Sequence, residues 1–436
     1  MADIWNYLFK FMLLLTGRLG GALAIFLVNI MVARNLGMEA LGTYAVFVSM
    51  VSILTICLPL GYNSVASIFT TEYITTDQPG LLKGYVVTSV KQILLSATFL
   101  TLLLFAGWFL FPQFIQSNQL GLGIVILVTA MGTSLLNLNS AIMVGMKHQV
   151  AGLLPEMLIR PVFLLLGVFV LFSLHSATGI NAVLGISAIA TWIAVIISSI
   201  NMGKLRAFYQ NSCAKYNKHH WRDATYPWLA TSLLWDYLID LILLLTSIMA
   251  GAAELAVLYI CFRYRVLAGF GMRTIYLLLM PEITEHAVLK NTDELTRKIS
   301  LANQASLIYS IAVIAFFALF GNQLISLFST EITDALPILV IVSFTMVIRA
   351  VFGPATLVLA VHNLHKITAA ISLAGLIIAI AAILLFYSTY GILAAAIAYS
   401  LSNLFISASL WRYSKIKTGI DSSVFANIHQ LDMCNE

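Results

Sequence analysis

Arg18, Lys91, Arg160, Arg263, Arg265, Arg273 and Arg349 all stand inside long apolar runs of the sequence. Fixed positive charge in such a setting has one chemistry to offer, the capture of an anion, and a guanidinium can grip phosphate oxygens two at a time. Left against lipid, each base would cost about 2.5 to 3.5 kcal/mol, on the order of 20 kcal/mol for the set. They are therefore expected to face a wet interior or to pair with carboxylates. Three acids share the apolar runs: Glu156, Asp236 and Asp240. Asp236 and Asp240 are four residues apart, hence on one helix face, where they can form a cation or proton site or neutralise Arg263 or Arg265. Glu156 and Arg160 share the same spacing, so an intrahelical ion pair accounts for both as readily as a binding role does. Arg273 can snorkel to a membrane surface. For Arg18, Lys91 and Arg349 no acid is near in sequence, and these three carry the cavity-lining reading best. Arg263 and Arg265, about 200° apart around a helix, are expected to point different ways.

The elements that must position these residues are membrane spans. Of 436 residues 61% are apolar and 9% charged, against roughly 25% charged in soluble domains. Measured against the roughly 20 residues that cross a bilayer, the chain yields twelve candidate spans, from Phe11–Ala33 to Ile392–Tyr413. The fold class is thus an all-α polytopic membrane protein. Lys and Arg in the loops lie almost wholly on one side when the N-terminus is placed inside, Arg34 being the exception. An even span count then puts both termini in the cytoplasm. By helix rise, Arg18, Lys91 and Arg160 fall about 10 to 12 Å in from the cytoplasmic ends of their spans.

The chain also reads as a duplication. A shift of about 215 residues, the common offset of several weak matches, lays Glu39 on Glu254, Tyr44 on Tyr259 and Phe47 on Phe262. This gives a six-helix lobe at residues 1–203, a basic linker at 204–224, a second six-helix lobe at 225–413 and a polar tail at 414–436, expected to be partly disordered. Two lobes of six spans enter the membrane from the same side, and a binding cleft is expected between them. Pro59, Arg160-Pro161 and Gly353-Pro354 are expected to interrupt spans two, five and ten. The four cysteines lack CxxC spacing, and His219-His220 and His362 with His365 lack acidic or thiol partners, so no metal site or cofactor is expected. The formal charge of +5 is divided between loops and span interiors, which argues against nucleic acid.

Gly17-Arg18-Leu19-Gly20, Val32-Ala33-Arg34-Asn35-Leu36-Gly37, Leu41-Gly42-Thr43-Tyr44-Ala45 and Pro59-Leu60-Gly61-Tyr62-Asn63-Ser64 together resemble the start of polysaccharide transporter family proteins, the O-antigen flippases. That superfamily, called MOP, also contains MATE drug exporters and lipid II flippases. The resemblance implies a multi-pass protein of the bacterial inner membrane. It would turn undecaprenyl-pyrophosphate-linked oligosaccharide, an O-antigen or similar repeat unit of lipopolysaccharide biosynthesis, from the cytoplasmic to the periplasmic leaflet. Polysaccharide polymerase and chain-length proteins are the partners it suggests besides membrane lipids. Arg18 matches a first-span arginine of the lipid II flippase pattern, but Leu23, Ala24 and Ile25 replace a second one.

Residues and resemblance agree on an expectation: the seven bases bind the pyrophosphate, the lobes rock in alternating access, and H+ or Na+ couples through Asp236, Asp240 or Glu156. The competing readings are a MATE-like antiporter of organic cations and a membrane-embedded polysaccharide polymerase or ligase. The first should carry net negative charge inside; the second should need a large outer loop.

Overall fold

A computed structural model describes residues 2–110, 117–174, 179–205, 208–209, 211–235, 237–288, 292–330, 335–361 and 364–426. Among these residues every regular element is helical, as a lipid setting demands, since a helix satisfies its own backbone polar groups. Among the described residues eleven helices are long and apolar enough to cross a membrane. Asp236 lies outside the described residues. The chain divides into two compact units, Met1–Leu233 and Leu234–Glu436.

The first unit holds α1 (Ala2–Leu36), α2 (Met38–Cys57), α3 (Tyr62–Thr75), α4 (Pro79–Leu110), α5 (Ser117–Gly145), α6 (Gln149–Leu154), a π turn (Pro155–Ile159), α7 (Arg160–Ser173) and α8 (Ile180–Leu205). α5 packs against α2, α3, α4 and α8. Ser134 Oγ on α5 donates to Thr55 O at 2.9 Å and Asn63 Nδ2 donates to Ser134 O at 2.9 Å. These bonds brace the break at Pro59, which ends α2 as expected. The turn closes through Gly61 at φ 85°, where a side chain would also run into the Thr225 carbonyl.

The fifth span departs from expectation. Its helix runs through Pro161 and instead widens one turn earlier, at Pro155–Ile159. Pro161 has no N–H for the Met157 carbonyl four residues back, and the extra residue of a π turn takes up that misfit. On α1, Gly21 permits close approach to the freed Met157 carbonyl, which a Cβ would strike.

The basic linker is fastened down. Lys215 N–H donates to Gly80 O at 2.9 Å, and Lys83 Nζ to Ser212 O at 2.9 Å. α9 (Lys218–Trp235) follows, with Trp221 fully buried, edge-on to Tyr85 and donating from Nε1 to Tyr73 Oη at 2.7 Å.

The second unit contains α10 (Leu238–Ser247), α11 (Ala252–Val288), α12 (Thr292–Ser326), α13 (Ala335–Phe352), α14 (Ala355–Val361), α15 (His365–Tyr390) and α16 (Ile392–Thr418). α16 packs on α13 and α15, and α11 on α12 and α13. The seventh span is not continuous: α9 ends at Trp235 and α10 starts at Leu238. The tenth span breaks at Gly353-Pro354 as expected.

The break in the tenth span orphans the last carbonyls of α13, and the tail supplies their donors. Beyond Gly419 the chain folds back, with Val424 N–H donating to Val351 O at 2.9 Å and Ser422 Oγ to Phe352 O at 2.9 Å. Asn303 Nδ2 on α12 donates to Ser422 O at 2.6 Å and Ser300 Oγ to Val424 O at 3.1 Å. Residues 419–426 of the tail are thus docked; residues 427–436 lie outside the described ones.

Candidate functional site

In the second unit, α11 carries Arg263, Arg265 and Arg273, α13 carries Arg349 and the first turn of α10 carries Asp240. All five line one cavity of about 390 Å³, a size suited to a small-molecule group. A second cavity of about 200 Å³ shares Arg265, Arg273 and Arg349 with it and is otherwise walled by residues such as Met272, Met346 and Leu410. Asp240 is the one carboxylate among the described residues of either lining, so four guanidinium groups face a single acid. The N-terminal turn of α10 forms part of the wall, and a helix start adds partial positive charge from its unbonded N–H groups.

Each arginine is placed by identifiable neighbours. Arg263 lies over the ring of Tyr259, one turn back on its own helix, at 4.5 Å from the centroid. Arg265 is only 8% exposed, lies 5.8 Å from the ring centroid of Tyr399 and donates from Nε to Thr345 Oγ1 at 3.3 Å. Arg349 donates from Nε to Asn403 Oδ1 at 3.3 Å. Arg263 and Arg265 line the same cavity although their guanidinium groups meet different partners, Tyr259 for the one and Thr345 with Tyr399 for the other.

The first unit gathers a different group. Glu156, in the π turn, feels the charges of Arg160 and Arg18, and Arg160 in turn feels Glu156 and Tyr44. With the Asn137 amide turned to donate, its Nδ2 lies 3.1 and 3.2 Å from the two Glu156 oxygens. The i,i+4 neighbours Glu156 and Arg160 thus interact electrostatically, with Arg18 adding its charge. Lys91 is exposed on α4, on the same stripe as the exposed Leu95, Phe99 and Leu102.

Asn403 and Thr345 went unnoticed in the sequence. A lone amide or hydroxyl in an apolar run carries no spacing signal, and only the arginines they meet, 54 and 80 residues away, give them meaning.

No protein-family model and no curated protein matches the sequence. Solved structures do match in fold. An inward-facing multidrug resistance MATE transporter of the MOP superfamily superposes with a TM-score of 0.72 at 16% identity, covering 91% of this chain and 94% of that one. An outward-facing one gives 0.65 at 16%, over 94% and 95%. A MOP superfamily transporter from Pyrococcus furiosus, described as having a binding pocket of reverse polarity that suggests a different function, gives 0.65 at 16%, over 94% and 95%. At this identity the likeness is one of architecture, and the chain has the all-helical, multi-pass fold of MATE transporters of the MOP superfamily.

Proposed function

We propose that this chain is a transporter of an anionic, lipid-linked cargo. The best candidate is an oligosaccharide on a polyprenyl diphosphate such as undecaprenyl pyrophosphate, moved from the cytoplasmic to the periplasmic leaflet. The observation that carries the reading is the pair of adjoining cavities where, among the described residues, Arg263, Arg265, Arg273 and Arg349 meet one carboxylate, Asp240. A diphosphate is the group such a constellation would hold, because clustered guanidinium groups repel one another until an anion bridges them. The sugar would occupy water-filled space while the polyprenyl chain stays in lipid. Arg18 and Arg160 are further contacts on the anion's path, and Asp240 and Glu156 are the groups to carry coupled H+ or Na+. No chemical step on the cargo is required of the protein, and the setting is the bacterial inner membrane with both termini cytoplasmic.

A second reading, a MATE-like antiporter of organic cations, draws on the multidrug transporters that share the fold. It sits poorly with four arginines around the cavity, since a cation would meet repulsion there. Cells in which this gene is replaced by Arg263→Ala, Arg273→Ala or Arg349→Ala variants separate the two. The flippase reading expects normal membrane abundance, lost surface polysaccharide and unpolymerised lipid-linked units held in the cytoplasmic leaflet. Unchanged polysaccharide in all three variants, or a gain in sensitivity to cationic dyes as their only phenotype, would overturn it.

A further inference from the structure

We infer that Asn403 and Thr345 are positioning residues that aim Arg349 and Arg265 at a diphosphate by meeting each Nε with a neutral oxygen. This inference rests on the anionic-cargo reading above. The Nε–H of an arginine can be met by a carboxylate, which orients the side chain and also neutralises it, or by a neutral oxygen, which only orients it. Arg349 and Arg265 both have the neutral kind at Nε. Asn403 Oδ1 accepts from Arg349 Nε at 3.3 Å, and the Asn403 amide is itself pinned, its Nδ2 donating to Tyr399 O at 2.9 Å. The residue is 2% exposed, so packing holds the amide as well. Thr345 uses its own proton on Val342 O at 2.7 Å, which leaves the hydroxyl oxygen to accept from Arg265 Nε at 3.3 Å.

A guanidinium held at Nε has its remaining edge set in direction, and that is the edge that can pair two phosphate oxygens. Arg265 and Arg349 both belong to the wall common to the two cavities. The supports stand on separate helices, Thr345 on α13 and Asn403 on α16. Orientation is therefore imposed twice, independently, at the place where the anion must be met.

The test titrates the full-length protein in lipid nanodiscs with inorganic pyrophosphate, with the melting temperature as control for folding. Asn403→Asp keeps the shape but puts a carboxylate on Nε, and pyrophosphate binding is expected to weaken by about tenfold or more while the melting temperature holds or rises. Thr345→Val keeps the shape and loses the oxygen, with a similar expected loss of about tenfold; Thr345→Ser returns the oxygen and with it the affinity. A packing role for Thr345 demands the reverse order, Val harmless and Ser harmful. If wild type binds pyrophosphate and Arg349→Ala loses it, while Asn403→Asp and Thr345→Val titrate like wild type, the positioning role is overturned and the anionic reading stands. If wild type fails to bind, or Arg349→Ala binds as well as wild type, the anionic reading falls and the inference with it. Should Asn403→Asp not accumulate, the Thr345 pair decides alone.

Discussion

Arg349 and Arg263 meet the cavity by different means, one held by an amide and the other lying over a tyrosine ring. Both arrangements suit guanidinium and not ammonium, which has neither the planar face for stacking nor the forked donors. Arg349→Lys is therefore expected to keep the charge yet weaken pyrophosphate binding by about fivefold to tenfold, measured by titration, the equivalent of roughly 1 kcal/mol. In the first unit the balance is different. Glu156 feels the charges of Arg160 and Arg18, and an arginine in an apolar setting is destabilised when a nearby counter-charge is removed. Glu156→Gln should accordingly lower the melting temperature, and adding Arg160→Met should recover most of the loss. A structural pair predicts that recovery in both stability and transport. A coupling role predicts recovered stability with transport that no longer depends on pH or Na+.

Among the elements, the broken tenth span is the one whose geometry depends most visibly on a distant segment. The α13 carbonyls of Val351 and Phe352 are met by residues 422–424 of the tail. Gly353 adopts φ 69°, and a side chain there would collide with the Ser422 carbonyl. Gly353→Ala should thus cost well over 2 kcal/mol, from left-handed strain and lost docking together, and is expected to reduce folded protein in the membrane. The tail is locked by Asp421, which accepts from Lys415 Nζ at 2.7 Å and Trp411 Nε1 at 2.8 Å. Burial pushes the Asp421 carboxyl up, but hydrogen bonds from Lys415, Trp411 and Ser423 outweigh that and hold it at about 2. Because the folded value is depressed, its contribution is present above the unfolded value near 4 and fades as pH falls from about 4 toward 2. Pulsed hydrogen exchange across that window should show residues 420–424 losing protection first, and Asp421→Asn should abolish the dependence.

The breaks at Pro59 and Gly353-Pro354 were legible because proline removes a donor that a helix needs. The π turn was not, since its cause, Pro161, acts a full turn away from its effect. Nor was the tail's docking, which joins residues about 70 to 120 apart that carry no local pattern.

At the scale of the whole molecule, the sequence announced a polytopic helical chain through composition alone, and the eleven span-length helices agree with it. The seven bases set in apolar runs were equally visible as a set, but their partition was not. Four gather around the cavities of the second unit, two join Glu156 in the first, and Lys91 lies exposed on α4. Charge count in a sequence gives sign, whereas clustering depends on which helices pack, and apolar helices leave little trace of their neighbours. For an anionic cargo the membrane potential is itself a driving force, about 2.3 kcal/mol per charge per 100 mV. An inside-negative potential should then speed outward movement of a diphosphate lipid in vesicles and slow it when reversed. The most direct measurement reconstitutes purified protein in liposomes with a polyprenyl-diphosphate disaccharide and follows its exposure on the opposite leaflet to a membrane-impermeant sugar-modifying reagent. The account predicts rapid exposure with wild type and little above protein-free liposomes with Arg265→Ala plus Arg349→Ala. Equal exposure with both proteins, or transport of an organic cation by wild type with none of the diphosphate lipid, would contradict it.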